Sequence, residues 1–384
     1  MNEFYLLDKD LQRKHSIDRY SSAIWTQRYN EIGDCEIVIQ ATANNLQKIK
    51  ESKYIAQEDD DMVCEISQIE IKTDETSGNQ IIITGTDIKN ILNQRIVETQ
   101  TNFNGLVEDY IRLLINDAII NPTNSDRKIS NFVLANKVGF TEKIRQQVTY
   151  DCVGEKIQEL CKQFNWGYKI TIKNGKFVFS LYKGNDISQY IEFSPDFDNI
   201  SKTDYISDNS NIKNVAIIAG EGEGIERTKT TIGQGSGINR KELYVDARDV
   251  SSKIDYDELK NNYPNGTTKT VNNITYYQVD GTNIAILTYD ENNKIKECNL
   301  CKDIYTENLQ NTGYDKMTDF VQKESFTGEV TNVNYAYKKD YNIGDIIRIS
   351  NEFGIDINAR ITEIIESEDQ NGYKIVPTFE YLYN

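Results

Sequence analysis

The sequence holds a single histidine, His15, set between Lys14 and Ser16. A serine or cysteine triad would have to run through that one imidazole. Neither G-x-S-x-G nor H-E-x-x-H occurs, so His15 reads as a solvated surface side chain. No segment approaches the roughly 18 consecutive apolar residues that a membrane-spanning helix needs. The opening MNEFYLLDKDLQRKHSIDRY also lacks the apolar core and small-residue cleavage site of a secretory signal. A chain of this kind is expected to be made in a reducing cytoplasm. Its six cysteines are scattered and few for 384 residues, which argues against a disulfide scaffold. Cys298 and Cys301 form one CxxC with no second pair and no nearby histidine, so two ordinary thiols are expected rather than a zinc or redox site. Positive charge is also short: 43 Lys and Arg face 60 Asp and Glu, for a net charge of -17. Such a field does not seek nucleic acid or an anionic membrane, and no stable nucleic-acid binding is expected.

What is present suits strands. The chain has 24 Tyr and 13 Phe, and tyrosine pairs an apolar ring with a wet hydroxyl on half-buried strand faces. At this length two or three domains are expected. Residues 1–100 read as strands, among them SSAIWTQRY, CEIVIQA and NQIIITGTD. TDETSGNQ (73–80) has turn chemistry, and IKNILNQRIV (88–97) reads as one short helix. Two amphipathic helices follow. One carries Leu106, Val107, Tyr110, Ile111, Leu114, Ala118 and Ile119, with Asn104 as N-cap and Pro122 as stop. The other carries Val153, Ile157, Leu160, Cys161 and Phe164 behind Asp151 as cap. WGYKITIKNGKFVFSLYKG then gives a hairpin turning at Asn174 and Gly175. Residues 101–190 therefore form an α+β unit.

Strands and loops return over 191–250. Residues 251–319 add a hairpin and, over 302–324, a helix interrupted at Gly313. Four strand-like runs close the sequence. No tandem repeat is evident. The order is β, α+β, β with a helical insert, and the similar style of the first and last β regions points to two related barrels. The acidic run EDDDM (58–62) reads as a solvated turn whose charges could also hold a cation, without the spacing of a calcium loop.

In NVAIIAGEGEGIER (214–227) a strand runs into Gly220, Glu221, Gly222, Glu223 and Gly224. A phosphate loop gathers backbone N–H groups around an anion, and two carboxylates inside the loop repel one. The pattern also fails G-x-G-x-x-G and the Walker spacing. A flexible acidic connection between strands is expected, not a nucleotide site. No catalytic residue, cofactor or metal ligand emerges.

Several stretches nonetheless resemble one family. IDRYSSAIWTQRYNEIGDCEIVI (17–39), DDDMVCEISQIEIKTDE, FNGLVEDYIRLLINDAIINP and SDNSNIKNVAIIAGEGEGIERTKTTIG followed by NRKELYVDARDV (207–250) are similar to the Gp37-like tail proteins of siphophages. YKKDYNIGDIIRISNEFGIDINARITEIIES resembles the last barrel of tail hub proteins. The resemblance implies a tail-tip or baseplate hub: a virion protein with two tail-tube-like β-barrels, an α+β insert and a smaller insertion. On that reading residues 1–100 form the first barrel, 101–190 the α+β domain, 191–250 with 320–384 the second barrel, and 251–319 the insertion. The implied partners are two further copies in a homotrimer, a tail tube or distal tail protein, and a spike, tip or tape measure protein. The GEGEG loop then faces the lumen or a neighbouring subunit. Two other functions stay open. One is a tail-associated peptidoglycan hydrolase, against which the lack of a recognisable lytic domain counts. The other is a host-carbohydrate-binding tail protein using the tyrosines of NITYYQVDG (273–281).

Overall fold

The structure is a computed structural model and describes residues 3–74, 78–331 and 334–381. Strand makes up 46% of it and helix 21%, so the chain is a β-rich α+β protein. Alternation sets the strand faces: in Gly78–Asp87 the side chains of Ile81 and Ile83 point inward between half-exposed neighbours.

Thirteen strands join one sheet. Its main path runs Ile200–Asp208, Lys323–Val330, Gly372–Tyr381, Asp356–Asp369, Ser22–Arg28, Asp34–Gln40, Gly78–Asp87, Val63–Asp74, Tyr54–Gln57, Phe4–Leu7, Arg13–Ile17. Ile346–Ser350 pairs beside this path on Asp356–Asp369 and carries Glu192–Phe193. The first and last β regions are joined by an antiparallel ladder between Ala23–Arg28 and Glu363–Glu368. The path ends at Arg13–Ile17 and at Ile200–Asp208, and no ladder among the described residues closes it into a barrel. Each half buries its own core. Phe4, Trp25, Ile37, Ile55 and Ile83 fill the first, and Phe193, Phe326, Ile347, Ile361 and Phe379 fill the second. The turn expected at 73–80 lies partly outside the described residues, but the ladder leading into it pairs Asp74 with Gly78.

Five α-helices occur among the described residues: α1 (Ala43–Lys50), α2 (Val107–Ile115), α3 (Val153–Gln163), α4 (Tyr256–Asn262) and α5 (Lys302–Met317). The short helix expected at 88–97 is a 3-10 helix, Ile88–Gln94, capped by Asp87. Helices α2 and α3 share a core with the hairpin Gly167–Lys173 and Lys176–Tyr182. Asn174 and Gly175 turn that hairpin with φ of 51° and 70°, the left-handed pair that a two-residue turn requires. Two caps differ from expectation. Asn104 lies inside the strand Thr101–Leu106, held extended by pairing with Arg145, and Leu106 precedes α2. The residue before α3 is Cys152, so Asp151 stands one position too early to cap it.

A fourth core joins a three-stranded sheet (Val215–Ala219 between Lys229–Gly233 and Glu242–Asp246) to a five-stranded sheet, a four-stranded meander from Thr267–Val271 to Ile295–Leu300 with Lys253–Ile254 added beside its last strand. Residues 215–250, grouped by sequence with the last β region, pack here with 254–309. Helix α5 crosses this core unbroken at Gly313. The glycine is a close approach, because a Cβ there would fall 2.7 Å from Ile218 Cδ1. The expected interruption misreads a packing glycine as a breaker.

Candidate functional site: a polar junction and a glycine-rich loop

The two β regions and the α+β unit meet at a polar cavity of about 570 Å³ lined by Asp60, Lys89, Tyr168, Tyr182, Lys338 and Asp345 among others. Asp60 belongs to the acidic run expected to be a solvated turn. Its side chain is instead 1% exposed, because Lys338 reaches it from the last β region at 2.6 Å. Gln27 Nε2 donates to Asp60 Oδ2 at 2.5 Å and the Met62 N–H donates to Oδ1 at 2.7 Å. The same ammonium lies 3.1 Å from Glu366, which also accepts from Tyr373 OH at 2.5 Å. One lysine thus serves two buried carboxylates. Burial raises the Asp60 carboxyl above its ordinary range, with Lys338 opposing.

Tyr29 ties the three parts together. Its hydroxyl donates to the Asn165 carbonyl at 3.0 Å, and its ring stands edge-on to Tyr182 and 5.2 Å from the Arg360 guanidinium. Gly167 and Gly344 let it in, since a Cβ at either would fall 2.4 Å from the ring. Lys89 lies buried beside it, 3.3 Å from Asp87, and donates to the Arg28 carbonyl at 2.8 Å. A second buried link joins α3 to α5, where Lys156 Nζ meets Asp315 at 2.9 Å and Glu159 at 3.2 Å. Sequence reasoning missed both links. Lys338 and Asp60, like Lys156 and Asp315, stand far apart in the chain and carry no spacing signal.

The GEGEG loop joins Val215–Ala219 to Lys229–Gly233, two strands of the small sheet. Its root is pinned, unlike the flexible connection expected. Gly220 packs so closely on Tyr305 and Leu309 that a Cβ would fall 2.3 Å from the tyrosine hydroxyl. That hydroxyl accepts from the Glu221 N–H at 2.8 Å, and Ser252 Oγ donates to Glu221 Oε2 at 2.6 Å. Arg227 turns back to donate to the carbonyls of Gly220 (2.8 Å) and Ala219 and to pair with Asp246 at 2.6 Å. Gly222 and Gly224 take φ of 107° and 53°, and the tip from Gly222 to Glu226 is exposed.

The other sequence candidates sit apart from these sites. His15 lies on the edge strand Arg13–Ile17 with Nε2 3.6 Å from Glu51. Cys298 is buried in a strand while Cys301 precedes α5. Burial pushes the Cys298 thiol up to about 11, so it stays protonated near neutrality. Among the described residues no cluster of His, Cys, Asp and Glu is arranged to hold a metal. Of the tyrosines in 273–281, Tyr277 is buried and donates to the Tyr263 carbonyl at 2.7 Å, so its ring belongs to the core. No helix of the described residues is long and apolar enough to cross a membrane.

A family model described as Siphovirus ReqiPepy6 Gp37-like protein matches residues 3–379. No curated protein matches the chain. Two solved structures share its fold over nearly their whole length. The tail protein from Neisseria meningitidis MC58 is 10% identical, with 99% of this chain and 96% of that one covered at a TM-score of 0.55. The 43 kDa tail protein of prophage MuSo2 from Shewanella oneidensis is 11% identical, with 99% and 98% covered at a TM-score of 0.53. At such identities the likeness is one of fold.

Proposed function

This chain belongs to the Siphovirus ReqiPepy6 Gp37-like protein family, and from that membership we propose that it is a structural, non-enzymatic hub of a bacteriophage or phage-derived tail. The observation that carries the reading is the extent of the match, from residue 3 to 379. The fold it shares with proteins named as tail proteins is likewise end to end. In this role three copies form a ring at the tail tip or baseplate. Each contributes its two β regions, residues 1–100 and 191–208 with 323–381, as tube-like elements, so that six surround the axis. The tail tube or distal tail protein sits on one side and the spike, tip or tape measure on the other.

The physical chemistry fits. The ladder between Ala23–Arg28 and Glu363–Glu368, together with the Lys338–Asp60 link, makes one body of both β regions. A ring component needs that rigidity if load is to pass between neighbours. The net charge of -17 suits a passage through which DNA moves without being held, since a basic wall would release counterions and bind it. Solution mass by light scattering tests the proposal, with the chain alone and mixed with the adjacent tail proteins. Three copies, near three times 44.2 kDa, are expected in one of the two. A chain that is monomeric in both overturns the hub.

A further inference from the structure

The small sheet contains a repeat that the sequence reading passed over. Residues 220–227, GEGEGIER, and 233–240, GQGSGINR, share the frame G-x-G-x-G-I-x-R. The structure gives the closing G-I-x-R of both copies the same shape, while the first two glycines differ: Gly222 and Gly233 take φ of 107° and 83°, and their counterparts Gly235 and Gly220 do not take positive φ. Gly224 and Gly237 take φ of 53° and 55°, and each opens a single 3-10 turn behind an extended residue, Glu223 or Ser236. In each the closing arginine turns back on its own loop, Arg227 donating to the Gly220 carbonyl at 2.8 Å and Arg240 to that of Gly235 at 3.4 Å. Each frame therefore holds up one isoleucine. Ile225 is 91% exposed and Ile238 97% exposed. A lone exposed isoleucine needs no explanation, but the same residue held out by two copies of one frame does.

The two loops differ in place and in charge. Lys229–Gly233 runs antiparallel to Val215–Ala219, so the loops that precede and follow it lie at opposite ends of the sheet. The ends are separated by the length of five-residue strands, roughly 16 Å. The first loop carries Glu223 and Glu226 at its tip, and its arginine is spent on buried carbonyls. From Gly233 to Lys241 the second loop has no carboxylate and ends in Arg240 and Lys241, with Arg240 also paired at 2.5 Å to Glu242 on the strand that follows.

We propose that the two loops are the complementary halves of one head-to-tail contact between copies of this chain. Glu223, Ile225 and Glu226 of one protomer meet Ile238, Arg240 and Lys241 of the next. A contact between different patches of identical subunits is heterologous and closes into a ring when its rotation allows. Complementary charge fixes the pairing, and the isoleucines supply the apolar centre. The inference rests on the hub reading and names the surface through which its copies touch.

The test measures mass against concentration by light scattering, for the full chain in whichever sample gives the three-copy mass. Glu223→Lys/Glu226→Lys makes the first loop basic, and Asn239→Glu/Lys241→Glu makes the second acidic while sparing Arg240. Each reversal alone is expected to raise the dissociation constant of the assembly about tenfold or more, because like charges then face each other. The chain carrying both reversals is expected to recover most of the affinity. Ile225→Ser/Ile238→Ser is expected to weaken assembly with no charge change, and an unchanged far-ultraviolet spectrum shows that the variants fold. A three-copy mass unaffected by all these variants overturns the inference and leaves the hub intact, the copies or a neighbouring tail protein then meeting elsewhere. A wild-type chain that never exceeds a monomer overturns both.

Discussion

Lys338 places its ammonium 2.6 Å from the Asp60 carboxylate, joining the last β region to the first through a pair in which Asp60 is almost wholly buried. Glu366 shares that ammonium at 3.1 Å. Three charged groups thus sit at the seam with one positive charge among them, and Gln27, Tyr373 and the Met62 N–H supply the remaining hydrogen bonds.

Replacing Lys338 with Met strands both carboxylates. Removing one partner of a buried pair costs about 3–5 kcal/mol, and the partial exposure of the lysine brings the expected loss to about 2–3 kcal/mol. The loss depends on pH. Burial already raises the Asp60 carboxyl, so the folded state binds its proton more tightly than the unfolded state. Stability from this group is therefore fully present below the unfolded carboxyl value and is lost as pH rises through the folded-state value. Without the lysine the effect grows. Urea unfolding of variant and wild type should show a deficit that is smaller at pH 5 than at pH 7.5. An equal deficit at both would mean that the carboxylates are not held by Lys338.

Tyr29 is the seam's apolar counterpart. Tyr29→Phe removes only the bond to the Asn165 carbonyl and should cost about 1 kcal/mol. Tyr29→Ala empties the space between Gly167, Tyr182 and Gly344 and should cost about 3–5 kcal/mol. Because the ring touches all three parts, the Ala variant should also broaden the thermal transition or split it in two. A single sharp transition at lower temperature would show that the ladder between Ala23–Arg28 and Glu363–Glu368 alone keeps the parts cooperative.

Gly313 offers a test in which propensity and packing oppose each other. Alanine in a helix interior is ordinarily favoured over glycine by about 1 kcal/mol. Here the added methyl meets Ile218 Cδ1 at 2.7 Å and Ile232 Cδ1 at 3.0 Å. Gly313→Ala is therefore expected to destabilise by about 1–3 kcal/mol, the range for overpacked cores. Gly313→Ala/Ile218→Val, which removes the Cδ1 methyl but keeps the Cγ1 that lies equally close at 2.7 Å, should recover only a small part of that loss in denaturant titrations. A stabilised Gly313→Ala would mean that α5 can move away from the sheet.

The same glycine shows where sequence reading stops. Periodicity found the hairpin at Asn174–Gly175 and the apolar stripes of α2 and α3, because those signals are local and their residues face one core. It could not tell a glycine that breaks a helix from one that lets a helix lie close, since the difference is made by Ile218, far away in the chain. Asn104 failed as a cap for a related reason. Pairing of Thr101–Leu106 with Lys143–Val148 outweighs its capping preference. Within the run at 58–62, Glu58, Asp59 and Asp61 are exposed as expected, and Asp60 is not, because the lysine that covers it is Lys338. The repeat of 220–227 in 233–240 was present in the sequence all along, but only the matched turns at Gly224 and Gly237 and the exposed isoleucines give it meaning.

The glycine-rich loop yields a last prediction, in which two glutamates two positions apart behave differently. Glu221 accepts from Ser252 Oγ at 2.6 Å, and its N–H is bonded to the Tyr305 hydroxyl. Glu223 stands at the exposed tip. Glu221→Ala should therefore cost about 1 kcal/mol, whereas Glu223→Ala should stay within about 0.5 kcal/mol of wild type, as exposed loop charges do. Hydrogen exchange separates root from tip more directly. The Glu221 amide should be protected in the wild-type chain and lose protection in Tyr305→Phe, while the Gly224 amide should exchange fast in both. Fast exchange at Glu221 in the wild type would mean that the root opens freely. The isoleucine at the tip would then no longer be held by a rigid frame, and presentation to a neighbouring copy would lose its physical basis.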